Sequence, residues 1–249
     1  TDAFFNSVGG KDQFDEVSIL LDRTDKEDPS SNEEAMASLR VSVKSKNADL
    51  VGKMFSAKMI ELALANYPGF FIGGAVRSGG PVLVYWPALI DSKHISETVH
   101  FDGKETTILP TNQLGLEETY YQKQPIDIQP APSDPSIKMP LGELFGARSG
   151  DKGGCANIGV WAKTENAYSF LNECLTVKKI KELMPDLAEF QIDRYELPNI
   201  LSLNFYIHGI LEDGVSSNTR KDGQAKSLGE YLRAKYIEIP KSLIKEKEA

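Results

Sequence analysis

The chain has 249 residues, with 28 Lys and Arg against 36 Asp and Glu, so its formal charge is −8. A 41% hydrophobic and 26% charged composition is that of an ordinary folded protein with a real core, and no window approaches the roughly 18 apolar residues of a membrane span. Two cysteines exclude a disulfide scaffold and a Cys-based zinc module, and 12 basic against 19 acidic side chains over residues 1–130 make nucleic acid and anionic membranes poor partners.

Val17–Leu21 reads as a buried strand, followed by a polar loop whose turn chemistry is Asp28-Pro29-Ser30-Ser31-Asn32. Leu39-Arg40-Val41-Ser42-Val43 alternates apolar and polar, the pattern of a strand with one wet face. Asn47 then caps a helix on which Leu50, Val51, Met54, Phe55, Met59 and Leu62 recur at three- and four-residue spacing. Tyr67-Pro68-Gly69 stops it. Val82–Ile90 predicts another strand, with Pro87 confining it to an edge or a bulge. Thr98–Phe101 and Thr106–Leu109 flank Asp102-Gly103 as a hairpin. The N-terminus has no basic-then-apolar leader, so a cytoplasmic location is the expectation.

Five of the thirteen prolines lie between Pro125 and Pro140, which reads as an extended connector between domains over residues 1–124 and 141–240. Beyond it, Asn157–Lys163, Ile200–Ile207 and Tyr236–Ile239 predict strands; Ala167–Leu175, Val177–Met184 and Leu228–Ala234 predict helices. That succession suits a ferredoxin-like unit, a sheet with helices on one face, in an overall α+β (α/β) chain. Residues 241–249 read as a frayed tail.

The densest polar cluster is Gly146-Ala147-Arg148-Ser149-Gly150-Asp151-Lys152-Gly153-Gly154. Four glycines let a backbone turn sharply and gather N–H groups, and two cations add charge, a combination suited to a phosphate, carboxylate or enolate. It is neither a Walker loop, because Gly153 stands where Ser or Thr must follow the lysine, nor a dinucleotide fingerprint, because it precedes a strand. A tight structural connection is the alternative reading. Arg194-Tyr195-Glu196-Leu197-Pro198-Asn199 forms a second cluster; if extended, Arg194 and Glu196 point to one side, as a surface ion pair or as part of a site. Asn204 sits in a strongly apolar strand and needs a hydrogen-bond partner. Gly214–Asp222 reads as an exposed loop with two adjacent cations, Arg220 and Lys221. His94, His100 and His208 have no metal-binding spacing and read as solvated or packed. Cys155 reads as a small residue beside a crowded turn, although Lys152 nearby is of a kind that lowers a thiol pKa.

Arg148-Ser149-Gly150-Asp151-Lys152-Gly153 with Ala156-Asn157-Ile158-Gly159-Val160 resembles the signature of the AtuA family, named for acyclic terpene utilisation. Arg194–Asn199, Leu203-Asn204-Phe205 and the Gly214-Val215 loop to Arg220 and Asp222 match it too, as do Asp28-Pro29, Leu39-Arg40-Val41, Val51-Gly52, Tyr67-Pro68-Gly69 and Tyr85-Trp86-Pro87 in the first half. The chain departs from the family pattern at Gly154, where relatives commonly carry an acidic or small polar residue, and at Ala225, where many have Gly between Gln and Lys. The resemblance implies the end of a large α/β domain followed by a ferredoxin-like domain. Relatives usually have a large region ahead of residue 1, and Thr1 in place of Met makes the chain read as a processed, truncated or shortened member.

Two functions follow as expectations. The first is a metal-independent lyase, hydratase or isomerase acting on a terpenoid or branched acyl carboxylate or thioester, without a cofactor. Asp151 or Lys152 would move the proton, with Glu196 as the alternative base, and Arg194 or Arg220 would clamp a carboxylate. Arg148, Ser149, Gly150, Gly153, Asn157, Asn199 and Asn204 would complete the substrate contacts. The second is a non-catalytic assembly or accessory subunit. Convergence of Asp151, Lys152, Arg194 and Arg220 favours the enzyme; their dispersal into separate pairs favours the subunit. The partners expected are a small-molecule substrate and either a second copy or a missing N-terminal region.

Overall fold

Apolar alternation and proline–glycine punctuation produce two compact units, Thr1–Leu83 and Val84–Ala249. The computed structural model describes residues 1–63, 65, 67–74, 76, 78–108 and 128–248.

In the first unit, β1 (Glu16–Asp22) pairs antiparallel with β2 (Ser38–Lys44), from Glu16 opposite Lys44 to Asp22 opposite Ser38. This register stacks Val17 on Val43, Ile19 on Val41 and Leu21 on Leu39 along one face. Helix α1 (Asp2–Ser7) buries Phe4 and Phe5, and these meet Val8, Phe14 and Leu50 in a small core. The Asn47 side chain accepts from the Asp49 N–H at 3.1 Å, as a cap should. The expected helix follows as a wide turn (Leu50–Met54) broken at Gly52, then α2 (Phe55–Ala63). Phe4 and Phe55 meet edge to face at 4.8 Å.

In the second unit, β3 (Glu97–Phe101) and β4 (Lys104–Ile108) form the expected hairpin, with Asp102 and Gly103 both at positive φ. The strand expected over Val82–Ile90 does not form. Pro81 and Pro87 remove donors, and Tyr85 N–H makes a single bond to the Asp213 carbonyl (3.2 Å) instead of a ladder. Of the expected connector over 125–140, residues 125–127 lie outside the described residues, and Ser136–Pro140 is a paired strand, β5, a correction to the extended linker.

The main sheet is built from β6 (Gly146–Lys152), β7 (Cys155–Trp161), β8 (Ile192–Leu197) and β9 (Ser202–Ile207), in the order β6-β7-β9-β8 with every pair antiparallel. Between β7 and β8 run α3 (Glu165–Cys174) and α4 (Val177–Leu183); after β9 comes α5 (Leu228–Arg233). Strand, helix, strand, strand, helix is the ferredoxin-like succession, but its closing strand, β10 (Tyr236–Pro240), leaves the sheet to pair with β5. The vacated edge is taken by β6, which the glycine-rich sequence disguised as a loop. Ala156, Ile158, Val160, Leu203, Phe205 and Ile207 form the buried face against Tyr168, Leu171, Ile180 and Leu232 of the helices. The expected tail is instead helix α6 (Lys241–Glu248), held because Leu243 buries into the same core. Among the described residues, no helix is long and apolar enough to cross a membrane.

Candidate functional site

The glycine-rich segment does not fold back to gather N–H groups. It is strand β6, paired with β7 from Gly146 opposite Trp161 to Lys152 opposite Cys155, and only Gly153-Gly154 turn. Gly153 takes φ +65° at the first turn position, which suits a tight hairpin. A Cβ on Gly154 would lie 2.2 Å from the Glu212 carbonyl oxygen, so the 208–214 loop passes closer than any side chain permits. The glycines therefore serve the hairpin and its packing, and the expected backbone anion cradle is overturned.

Strand parity then sorts the expected site residues. On the helix side of β6, the Ser149 hydroxyl donates to the Lys226 carbonyl (3.1 Å) and accepts from the Gly229 N–H (2.8 Å), tying α5 to the sheet. Asp151 makes an ion pair with Lys226 at 3.5 Å. Arg194 and Glu196 do point to one side, and it is the helix side: Arg194 donates to Glu196 (2.7 Å), the Leu175 carbonyl (3.1 Å), and both the carbonyl and side chain of Asn172 (2.7 and 2.6 Å). It closes the C-terminus of α3. Arg220 lies 3.9 Å from Asp186, and Asn199 is exposed in the turn before β9. Asp151, Arg194 and Arg220 thus lie in separate pairs, and the donors expected of Arg194 for a carboxylate clamp are engaged by Glu196, Leu175 and Asn172.

Among the described residues, no helix lies on the opposite face of the sheet. Register places four rows across it, in the order β6, β7, β9, β8: Gly146, Trp161, Ser202, Leu197; Arg148, Gly159, Asn204, Tyr195; Gly150, Asn157, Tyr206, Asp193; and Lys152 and Cys155 continuing to His208 and Gln191. Arg148, Gly150, Lys152, Asn157 and Asn204, all expected in the site, thus share one surface, with Gly153 at its end. Asn157 donates to Asn204 at 2.8 Å, which satisfies the amide in the apolar strand. Gly159 adds no side chain, leaving open floor beside the exposed Arg148. The Lys152 ammonium turns back onto the Asp151 carbonyl at 2.8 Å.

Four further groups on this face were read from the sequence as solvated, packed or unremarked. His208 Nε2 lies 2.7 Å from Asp193 Oδ2, and its ring meets Tyr206 edge-on at 4.9 Å. The hydrogen bond from His208, helped by Gln191, holds the Asp193 carboxyl below its ordinary range. The Gly209 N–H donates to Cys155 Sγ at 3.4 Å. A hydrogen bond with the same thiol, with burial adding to it, raises the Tyr206 phenol. The signal for these groups is parity: 155, 157 and 159 on β7 share a face with 204 and 206 on β9 and with 208 just beyond its end, once the register is known. Cys174 differs, since burial pushes its thiol up to about 12. Among the described residues, no group of three or more His, Cys, Asp and Glu side chains could hold a metal ion.

Two family models match the chain: the acyclic terpene utilisation family protein AtuA over residues 3–101, and the AtuA ferredoxin-like domain over residues 139–238. No curated protein and no solved structure matches it.

Proposed function

We propose, from the premise that this chain belongs to the AtuA family of acyclic terpene utilisation proteins, that it is a lyase-, hydratase- or isomerase-type enzyme on a terpenoid or branched acyl carboxylate or thioester. The substrate lies on the uncovered sheet face. One observation carries this reading: cations on β6, Asp193 on β8 and its partner His208 just beyond β9 share that face across a side-chain-free floor at Gly159. Two strand spacings separate β6 from β9, about 10 Å, the reach of a short acyl chain. Arg148 binds the anionic end through its fork of donors. Asp193 engages Nε2 of His208, which orients the ring and leaves Nδ1 to take and return a proton. His208 thereby replaces Asp151 and Glu196 as the proton carrier.

The assembly reading has an observation of its own in the dispersal of Asp151, Arg194 and Arg220 into separate pairs. Turnover assays on branched acyl thioesters and acyclic terpenoid acids separate the two. The enzyme reading expects His208→Asn to lower turnover by about 10²–10⁴, and Arg148→Lys to raise KM because an ammonium lacks the fork. A wild-type protein inert on the whole panel, or turnover untouched by both substitutions, leaves the assembly reading.

A further inference from the structure

We infer that the same face carries a second chemistry: Cys155, with His208 as its base, takes up the acyl group of an acyl thioester. Ala156 opposite Ile207 is the last pair of β7 with β9, and Cys155 and His208 are the next residues outward, His208 being held at the start of the turn by its N–H to the Gln191 carbonyl at 3.0 Å. The two therefore neighbour one another at the end of the sheet, on the uncovered face. The Gly209 N–H, directly after His208, donates to the sulfur at 3.4 Å, which fixes the thiol beside the His208 turn. Asp193 completes the order of nucleophile, base and orienting carboxylate. Both His208 and Asp193 have side chains 39% exposed, so a substrate can reach them.

The exchange balances without a further reactant. The Cys155 S–H proton passes to His208 Nδ1, and the sulfur forms a bond to the thioester carbonyl carbon. The carbon–sulfur bond to the departing thiol breaks, and that thiol leaves with the proton from His208. One thioester replaces another, with nothing oxidised or reduced. This step does not depend on the proton-transfer reaction proposed above, and the two fail separately.

The test incubates the full chain with the isovaleryl thioester of N-acetylcysteamine and follows intact mass, peptide mapping and free thiol release. Expected is one isovaleryl group on Cys155, none on Cys174, with an equal amount of thiol released and the label removed by neutral hydroxylamine. Because burial alone protects Cys174, the folded His208 and Asp193 variants, which keep Cys155 equally accessible, are the control for simple thiol reactivity. His208→Asn and Asp193→Asn should each slow labelling at least tenfold, and Cys155→Ser should abolish it. Should one variant fail to fold, the other and the wild-type peptide map still decide. Label shared with Cys174 or with lysines, no label at all, or a rate unchanged in the folded His208 and Asp193 variants overturns the inference. Turnover of a terpenoid acid with Cys155 unlabelled by the thioester would do so too, while leaving the proton-transfer reading intact.

Discussion

Arg194 makes four hydrogen bonds, to Glu196, Leu175 and twice to Asn172, and its side chain is only 18% exposed. Removing it strands the last carbonyls of α3 and the Glu196 carboxylate. Arg194→Ala is therefore expected to cost about 2–3 kcal/mol of stability, the scale of charged hydrogen bonds, with no specific loss of ligand binding. Urea melts and calorimetric titration read the two effects apart. Ala225 poses the opposite case. It is buried at φ +54°, a left-handed conformation that strains any Cβ. The strain of about 1–2 kcal/mol is offset by the roughly 0.8 kcal/mol of the buried methyl group and the roughly 0.4–1 kcal/mol of unfolded-chain freedom that glycine restores. Ala225→Gly should thus leave stability unchanged to within about 1 kcal/mol, whereas an unstrained buried alanine would show a clear fall in Tm. Asp193, Tyr206 and His208 gave no motif, whereas Arg148, Asn157 and Asn204 were legible in the sequence. The sorting of the expected residues onto two faces was not, because one position of register decides which of Arg148 and Ser149 faces the helices.

Helix α5 illustrates what elements owe to side chains outside them. Its start is held by Asp222, whose carboxylate accepts from the Lys226 N–H (2.9 Å), the Ser227 N–H (2.8 Å) and the Ser227 hydroxyl (2.7 Å). Burial pushes this carboxyl up, but the bonds from Ser227 and Lys226 outweigh it and hold the pKa below the ordinary value. A depressed carboxylate contributes stability that is present above its unfolded pKa, about 3.9, and is lost as pH falls through the lower folded value. Wild type should lose this contribution below about pH 4, whereas Asp222→Ala should be weaker at pH 7 by about 1 kcal/mol and show less further loss in acid. Parallel acid melts of the two proteins check this, and identical pH profiles would contradict it. Periodicity revealed β1, β2, β7, β9 and helices α2, α3, α4 and α5, but neither α1 nor α6. It missed β6 because glycine lowers strand propensity, and β8 because its alternation is between charged and half-buried residues whose partners lie 22 positions away on α3.

At the scale of the molecule, β5 pairs with β10 and Leu243 of α6 enters the core, so the chain from Ser136 to α6 is one packed piece. Limited proteolysis should leave a protected fragment starting no later than Ser136 and running into α6. Early cutting inside 136–140, or loss of α6 ahead of all else, would contradict that packing. The composition and motifs pointed to a ferredoxin-like unit, yet the substitution of β6 for the departing β10 at the sheet edge is a matter of long-range pairing that local sequence does not encode. That substitution brings Arg148 and Lys152 onto the surface shared with Asp193 and His208. The most direct measurement is therefore an NMR titration of the assigned protein with geranate, an acyclic terpenoid acid, following every backbone amide. The account predicts shifts concentrated at Arg148, Asn157, Gly159, Asn204 and Tyr206, lost in Arg148→Ala. Shifts gathered instead around Asn172, Arg194 and Glu196, or none at saturating ligand, would contradict the placement of the site on the uncovered face.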